Sequence, residues 1–265
     1  IADGFDFANI LVKTREGRPI KIERNRLEQS FGSVNARVHA SVLSLYDVNR
    51  LQTPLISNEP ATWEDFDSAL ENKLNTLKEE KIVLLTQTFA SPSTSKLIKK
   101  FTSKYPNVSH VIYDTVSSSE ALDAFQSKYG IRALADFDFS KAEVIVSVGA
   151  DFLGDWQAGG FDSSYAKGRI PSEGKMSQHF QFEANMSLTG ANSDIRIPTT
   201  PSQQKQVVKA LTGGSTSGLP ESVVAAISSA KAALQKAGDK GVIITGLPDV
   251  SAQSSILSYL SLIHI

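Results

Sequence analysis

The sequence predicts an α/β protein, a parallel sheet with flanking helices preceded by a small N-terminal β-hairpin domain. From Lys81 onward, short apolar runs alternate with stretches of helical period, the pattern of a parallel sheet with crossover helices. The clearest run, Ala142 to Gly149 (Ala-Glu-Val-Ile-Val-Ser-Val-Gly), is apolar enough to be a central strand buried on both faces. Residues 8 to 24 instead alternate about the turn Arg15-Glu16-Gly17-Arg18, which reads as an antiparallel hairpin.

In order, the hairpin strands are Ala8 to Thr14 and Pro19 to Arg24, followed by a short helix from about Asn35 to Tyr46 and a loop, Asp47 to Pro60, holding two prolines. Thr62 starts a helix, because Asp65 stands three residues later and can close a capping box; it runs to about Lys78. Lys81 to Thr88 is a buried-type strand, Ser93 to Tyr105 a helix, Val108 to Tyr113 a strand and Ser118 to Tyr129 a helix. After the central strand, residues 151 to 174 form a loop-rich stretch with Gly154, Gly159, Gly160 and Gly168, expected at the carboxyl edge of the sheet. Lys175 to Glu183 is a further strand, Thr189 to Pro201 irregular, and Ser202 to Leu211 a helix. Thr212 to Pro220, rich in Gly and Ser, reads as a mobile connection. Glu221 to Ala237 is a helix and Gly241 to Gly246 a parallel-type strand. The domains expected are 1–60, the hairpin domain; 61–212, a Rossmann-like α/β domain; 213–220, a linker; and 221–265, the start of a further α/β segment, truncated.

With 265 residues, 41% of them apolar, the chain has material for a real core. Its formal charge of −1, from 27 basic and 28 acidic residues, provides no field to gather nucleic acid. Only Lys13 to Arg26 is locally basic, and its plain reading is a solvated hairpin edge blunted by Lys and Arg. Not one residue is cysteine. That excludes thiolate-held zinc, iron–sulfur centres, disulfides, nucleophilic cysteine and thiolate ligation of molybdenum or tungsten from the chain's own chemistry. It says nothing about compartment. No apolar run approaches the roughly 18 to 20 residues of a spanning helix. The start at Ile1 without a leader and the uncapped end at Ile265 read as a fragment. The last half dozen residues resemble a translated adapter tail, so no chemistry is placed on His264.

The best site candidate is the loop after the central strand, Gly149-Ala-Asp-Phe-Leu-Gly-Asp-Trp156, because open α/β sheets bind ligands beyond their strand carboxyl ends. Gly149, Asp151 and Gly154 are its candidate cofactor-binding residues. The loop matches neither Gly-x-Gly-x-x-Gly nor Gly-x-x-x-x-Gly-Lys-Ser/Thr, and Asp151 and Asp155 would repel a phosphate without a metal or arginine between. A structural strand exit is the competing reading. His39, His110, His179 and His264 are solitary, with no partner at metal-ligand spacing. Ser117, Ser118 and Ser119 suit a helix cap, no Gly-x-Ser-x-Gly elbow is present, and Asp136 and Asp138 read as a solvated loop.

The run Asn9-Ile-Leu-Val-Lys-Thr-Arg-Glu-Gly-Arg-Pro-Ile-Lys-Ile-Glu23, followed by Ser44-Leu-Tyr-Asp-Val-Asn-Arg-Leu-Gln-Thr-Pro54, resembles the N-terminal domain of molybdopterin oxidoreductases, the formate dehydrogenase and DMSO reductase group. Ala36-Arg-Val-His-Ala-Ser-Val-Leu-Ser-Leu-Tyr46, Val148-Gly-Ala-Asp-Phe-Leu-Gly154 and Met186-Ser-Leu-Thr-Gly-Ala-Asn-Ser-Asp-Ile-Arg-Ile-Pro198 look like the large iron–sulfur subunit of alternative complex III, a quinol-oxidising respiratory assembly.

The resemblance, which spans almost the whole chain, implies a formate dehydrogenase/DMSO reductase-like fold serving as a scaffold without cofactor. Iron–sulfur clusters would belong to a ferredoxin-like C-terminal half outside this sequence. It implies variant twin-arginine (TAT) export to the bacterial periplasm, and membrane and cytochrome c subunits as partners. The family's first-cluster cysteines would fall near Gly4, Phe5, Asp6 and Phe7 and near Asn35 or Ala36, none of which ligates iron in a cubane. Its metal ligand would fall between Tyr113 and Ser119, where Asp114 and Ser117 offer oxygens. Two alternatives stay open, an active molybdopterin-dependent oxidoreductase with an oxygen-ligated metal and a stand-alone Rossmann-like binding domain.

Overall fold

A computed structural model describes residues 2–3, 6–25, 27, 34–89, 91–158, 160–171 and 174–263. Gly4, Phe5, Arg26, Gly159 and His264, singled out above, lie outside the described residues. The chain divides into two compact units, Ile1–Thr115 and Val116–Ile265.

The first unit opens on a short antiparallel pair, β1 (Ala2–Asp3) and β2 (Asp6–Phe7), and then the expected hairpin, β3 (Ile10–Arg15) and β4 (Arg18–Arg24). Glu16 and Gly17 both have left-handed φ, 51° and 77°, the two-residue turn whose twist matches that of the strands it joins. Ala8, Ile22 and Val38 form a small buried cluster beneath the hairpin. Val38 belongs to α1 (Ala36–Ala40), capped by Asn35, whose side chain accepts from the Val38 amide at 2.8 Å. The expected single helix to Tyr46 tightens into a 3-10 turn over Ser41–Tyr46. Ser41 and Ser44 hydroxyls there donate to the Val38 and Ser41 carbonyls, local bonds that compete with the α-helical ladder.

The expected loop 47–60 contains a minimal hairpin, β5 (Leu55–Ile56) and β6 (Glu59–Pro60), turned by Ser57 and Asn58 at positive φ. α2 (Trp63–Thr76) carries the predicted Thr62–Asp65 capping box. β7 (Ile82–Thr86), α3 (Pro92–Lys104) and β8 (Val108–Ile112) make a βαβ unit whose two strands form a parallel sheet of their own.

The second unit begins with α4 (Ser119–Tyr129), stopped by Gly130 at φ 76°. Then follow β9 (Val144–Val148), α5 (Asp162–Gly168), β10 (Gln178–Glu183), α6 (Leu188–Ala191), β11 (Ile195–Pro198), α7 (Pro201–Leu211), α8 (Glu221–Ala237), β12 (Gly241–Thr245) and α9 (Val250–Ile263). All four strands are parallel, in the order β11-β10-β9-β12. The stretch expected to be irregular, Thr189 to Pro201, holds α6 and the short edge strand β11. The segment 221–265, set apart in the sequence reading, supplies β12, which pairs with β9 along its whole length.

The sheet is covered on both faces, as its apolar strands require. Val146, Val148, Phe180, Phe182 and Ile243 pack toward α7, α8 and α9; Ile145 and Ile244 pack with Phe139, Phe152, Phe161 and Tyr165 on the other side. Each such fully buried side chain contributes about 1.5–3 kcal/mol, which makes β9, buried at every residue, the centre of the unit.

Candidate functional site at the carboxyl edge of the sheet

The chain leaves β9 toward β10 on one side and returns as β12 on the other, so strand order reverses between β9 and β12. In open α/β sheets the ligand crevice lies at the carboxyl ends of such a pair. The loop Gly149 to Trp156 is at that place, as its sequence position implied.

The crevice is narrow where β9 and β12 leave the sheet. A Cβ added to Gly246, just past β12, would lie 2.2 Å from the Gly149 carbonyl oxygen and 2.9 Å from the Ala150 Cα, so the two strand exits meet backbone to backbone. Gly149 has φ 68°, and a Cβ there would lie 2.8 Å from the Gln204 side-chain oxygen. Gly246→Ala is therefore expected to force the exits apart and destabilise the unit by about 1–3 kcal/mol, read as a lower urea midpoint; an unchanged midpoint would show that the exits separate freely.

Asp151 is turned inward. Its Oδ1 accepts from the Thr189 amide at 2.9 Å and the Thr189 hydroxyl at 2.7 Å, and Thr189 Oγ1 accepts from the Leu153 amide at 2.9 Å. Gly154 makes room for that carboxylate, since a Cβ there would lie 2.2 Å from Asp151 Oδ2. The loop is thus bonded to α6.

Three of the helices that start at this edge, α6, α7 and α9, are capped by their own side chains, whereas α5 has no side-chain cap at Phe161. Ser187 accepts from the Gly190 amide in α6, and Thr200 and Gln203 form a reciprocal box on α7. Asp249 accepts from the Ala252 amide in α9 and pairs with Lys205 at 2.9 Å, which holds its carboxyl below the usual range. Helix N-termini bind phosphate through free amides; here side chains already take up part of that capacity. Behind the loop lies a cavity of about 20 Å³, lined by Phe125, Phe137, Trp156, Gln157, Thr245 and Gln253 among others, room for about one water. Gln157, at φ 48°, has a buried side-chain oxygen without a partner beside it.

A polar ladder on β10 went unrecognised in the sequence. His179, Gln181 and Glu183 share one face of the strand, Phe180 and Phe182 the other, and all five are buried. His179 Nε2 donates to Gln181 Oε1 at 3.3 Å in the tautomer that leaves Nδ1 facing the Tyr165 hydroxyl at 3.1 Å. Gln181 donates to Glu183 Oε2 at 3.2 Å. Glu183 also accepts from Ser187, at 2.5 Å from its hydroxyl, and from Arg196 Nε at 2.6 Å. Burial pushes the His179 pKa down to about 4, so the ring is neutral near pH 7. Burial opposes the charge on Glu183 too, but the bonds from Ser187 and Arg196 outweigh it and hold its carboxyl below the usual range. Beside them Arg169 grips Asp194 through two bonds of 2.7 Å, and Asp194 accepts from the His179 amide at 2.8 Å. The ladder joins β10, α6 and β11, with His179 wholly enclosed. Its signal was the alternation His-Phe-Gln-Phe-Glu, polar at every second residue of a strand inside a parallel sheet.

The other candidates are dispersed. Asp114 belongs to the first unit, where Oδ1 accepts from the Thr88 amide at 2.8 Å and Oδ2 from the Thr88 hydroxyl at 2.5 Å, bonding the exit of β8 to that of β7. Ser117 belongs to the second unit and accepts from the Ser119 amide at the start of α4. His39 bonds the Ile22 carbonyl, His110 the Thr86 hydroxyl, and Asp138 the Ser140 amide and hydroxyl. Among the described residues no group of three His, Asp or Glu side chains could hold a metal ion, and no helix is long and apolar enough to cross a membrane.

Fold and edge define an α/β protein with a parallel sheet between helices and a small N-terminal antiparallel hairpin. No family model matches the chain, and no curated protein matches it.

Proposed function

We propose that this chain is the cofactor-free, molybdopterin-oxidoreductase-like half of a periplasmic iron–sulfur subunit in a respiratory assembly of the alternative complex III type, with a formate dehydrogenase/DMSO reductase-like architecture. Its role is support. Electron transfer between clusters requires fixed spacing, and a parallel sheet covered on both faces is a rigid base for it. The clusters belong to a ferredoxin-like half outside this sequence, and the partners are membrane and cytochrome c subunits.

The observation that supports the reading is the internally bonded carboxyl edge. Gly246 abuts Gly149, Asp151 is bonded to Thr189, and α6, α7 and α9 are capped by Ser187, Thr200 and Asp249. The chain has no cysteine to hold molybdenum, and each oxygen of Asp114, the candidate oxygen ligand, already accepts a hydrogen bond from Thr88. No step of the respiratory reaction passes through these groups.

The test is immunoprecipitation from detergent-solubilised membranes of the cells that make the protein, with metal analysis of the product. The expected result is c-type haem and quinol:cytochrome c reductase activity in the precipitate, and no stoichiometric molybdenum or tungsten in the purified chain. A precipitate without haem, or a chain that yields a pterin with its metal, overturns the proposal.

A further inference from the structure

The hairpin of the first unit is built against its own stability. Cross-strand partners are Lys13 opposite Lys21 and, past a bulge, Arg15 opposite Arg18. Like charges directly opposite one another destabilise a strand pair. Lys21 is partly relieved by Glu23, 2.9 Å away. Lys13, Arg15 and Arg18 have no ion-pair partner among the described residues.

Apolar side chains stand exposed beside these cations. Leu11, on the face of β3 that carries Lys13 and Arg15, is 49% exposed, and Ile20, at the bulge in β4, is 49% exposed. A solvated edge explains the cations and leaves Leu11 and Ile20 unexplained, because a solvated edge gains nothing from large apolar groups. Apolar groups interleaved with arginine are part of the composition of a protein interface.

We propose that the face of the β3–β4 hairpin that carries Leu11, Lys13 and Arg15 is a docking surface for an acidic protein segment, a polypeptide whose carboxylates pair with Lys13, Arg15 and Arg18 while its apolar side chains cover Leu11 and Ile20. Charge complementarity assigns the occupant: three cations without an ion pair among the described residues, two of them guanidiniums suited to bidentate carboxylates. A membrane surface is disfavoured by the order of residues along the hairpin. Its foremost residue is Glu16, a carboxylate that would meet anionic headgroups first, and the apolar side chains lie behind it. The inference stands independently of the respiratory reading, since it rests on the hairpin alone.

The experiment compares the whole chain with the variant Lys13→Thr/Arg18→Thr, using a polyglutamate peptide as the acidic probe and, separately, phosphatidylglycerol vesicles. The expected result is salt-sensitive binding of polyglutamate that the variant weakens tenfold or more. The melting temperature of the variant should rise by about 2 °C, because both repulsive pairs are gone. Loss of binding together with a gain in stability separates a docking surface from a merely structural hairpin. As control, Lys96→Thr/Lys99→Thr on α3 leaves binding unchanged. Polyglutamate binding that is absent, that is equal in both proteins, or that the α3 variant weakens as much overturns the proposal, as does binding to vesicles in place of the peptide.

Discussion

Replacing Glu183 by alanine is expected to lower the stability of the second unit by about 3 to 5 kcal/mol, the range for breaking a buried charge pair from one side. Glu183 is 4% exposed and is the common acceptor for Ser187, Arg196 and Gln181. Without it the Arg196 guanidinium, itself only 22% exposed, loses its partner, and the Ser187 and Gln181 donors lose their acceptor in a site with little water. Glu183→Gln retains the shape and one acceptor oxygen, so its loss should be about half as large. Urea unfolding followed by circular dichroism reads both, with the midpoint moving and the slope constant. A loss below about 1 kcal/mol for Glu183→Ala would falsify the description of Glu183 as the acceptor that joins β10, α6 and β11. Such a site would instead be open to solvent. Replacement of both members of the pair by apolar residues of similar size is expected to be far milder than either single change, because no charge is then left buried alone.

The second large effect is a loss of stability in mild acid. Above pH about 6.5 the His179 ring is neutral in both folded and unfolded chains and contributes no pH dependence. As pH falls below that value the unfolded ring takes a proton, while the folded ring, enclosed by Phe152, Tyr165 and Gln181, resists until about pH 4. The unfolded state then binds more protons, so stability falls with falling pH across that window, by about 3 kcal/mol in all. Below it the depressed carboxyls of Glu183 and Asp194 add to the loss in the same direction, since each must be protonated out of its hydrogen bonds. Unfolding free energies measured between pH 7 and 4 check this. His179→Gln should flatten the slope across that range even though the variant is less stable throughout. An equally steep slope in the variant would transfer the effect to other groups.

Much of the local structure was legible. The hairpin turn, the Thr62–Asp65 box and the buried run at Val144–Val148 each follow from a few adjacent residues, because turn chemistry, capping and apolar runs are encoded over short distances. The short pieces α6 and β11 were not, since four residues carry too little periodicity to distinguish an edge strand from a loop. The position of the candidate loop was legible too, from the strand before it. What the loop does with its polar groups was not. Asp151 could be placed beyond a strand end, but its partner Thr189 lies in another βα connection, and nothing near Asp151 in the sequence points to it.

The sequence by itself determined the class of protein: strands apolar enough to need cover on both faces, helices with their caps, a chain without cysteine and so without thiolate chemistry of its own. Only the tertiary structure decided how the strands are shared, with β7 and β8 in one sheet and β9 to β12 in another, and that the exits of β9 and β12 meet. The physical reason is separation along the chain. Thr245 and Val148, whose bonding brings Gly246 against Gly149, are 97 residues apart. Two glycines that look like loop residues become a backbone contact only once β12 has taken its place beside β9.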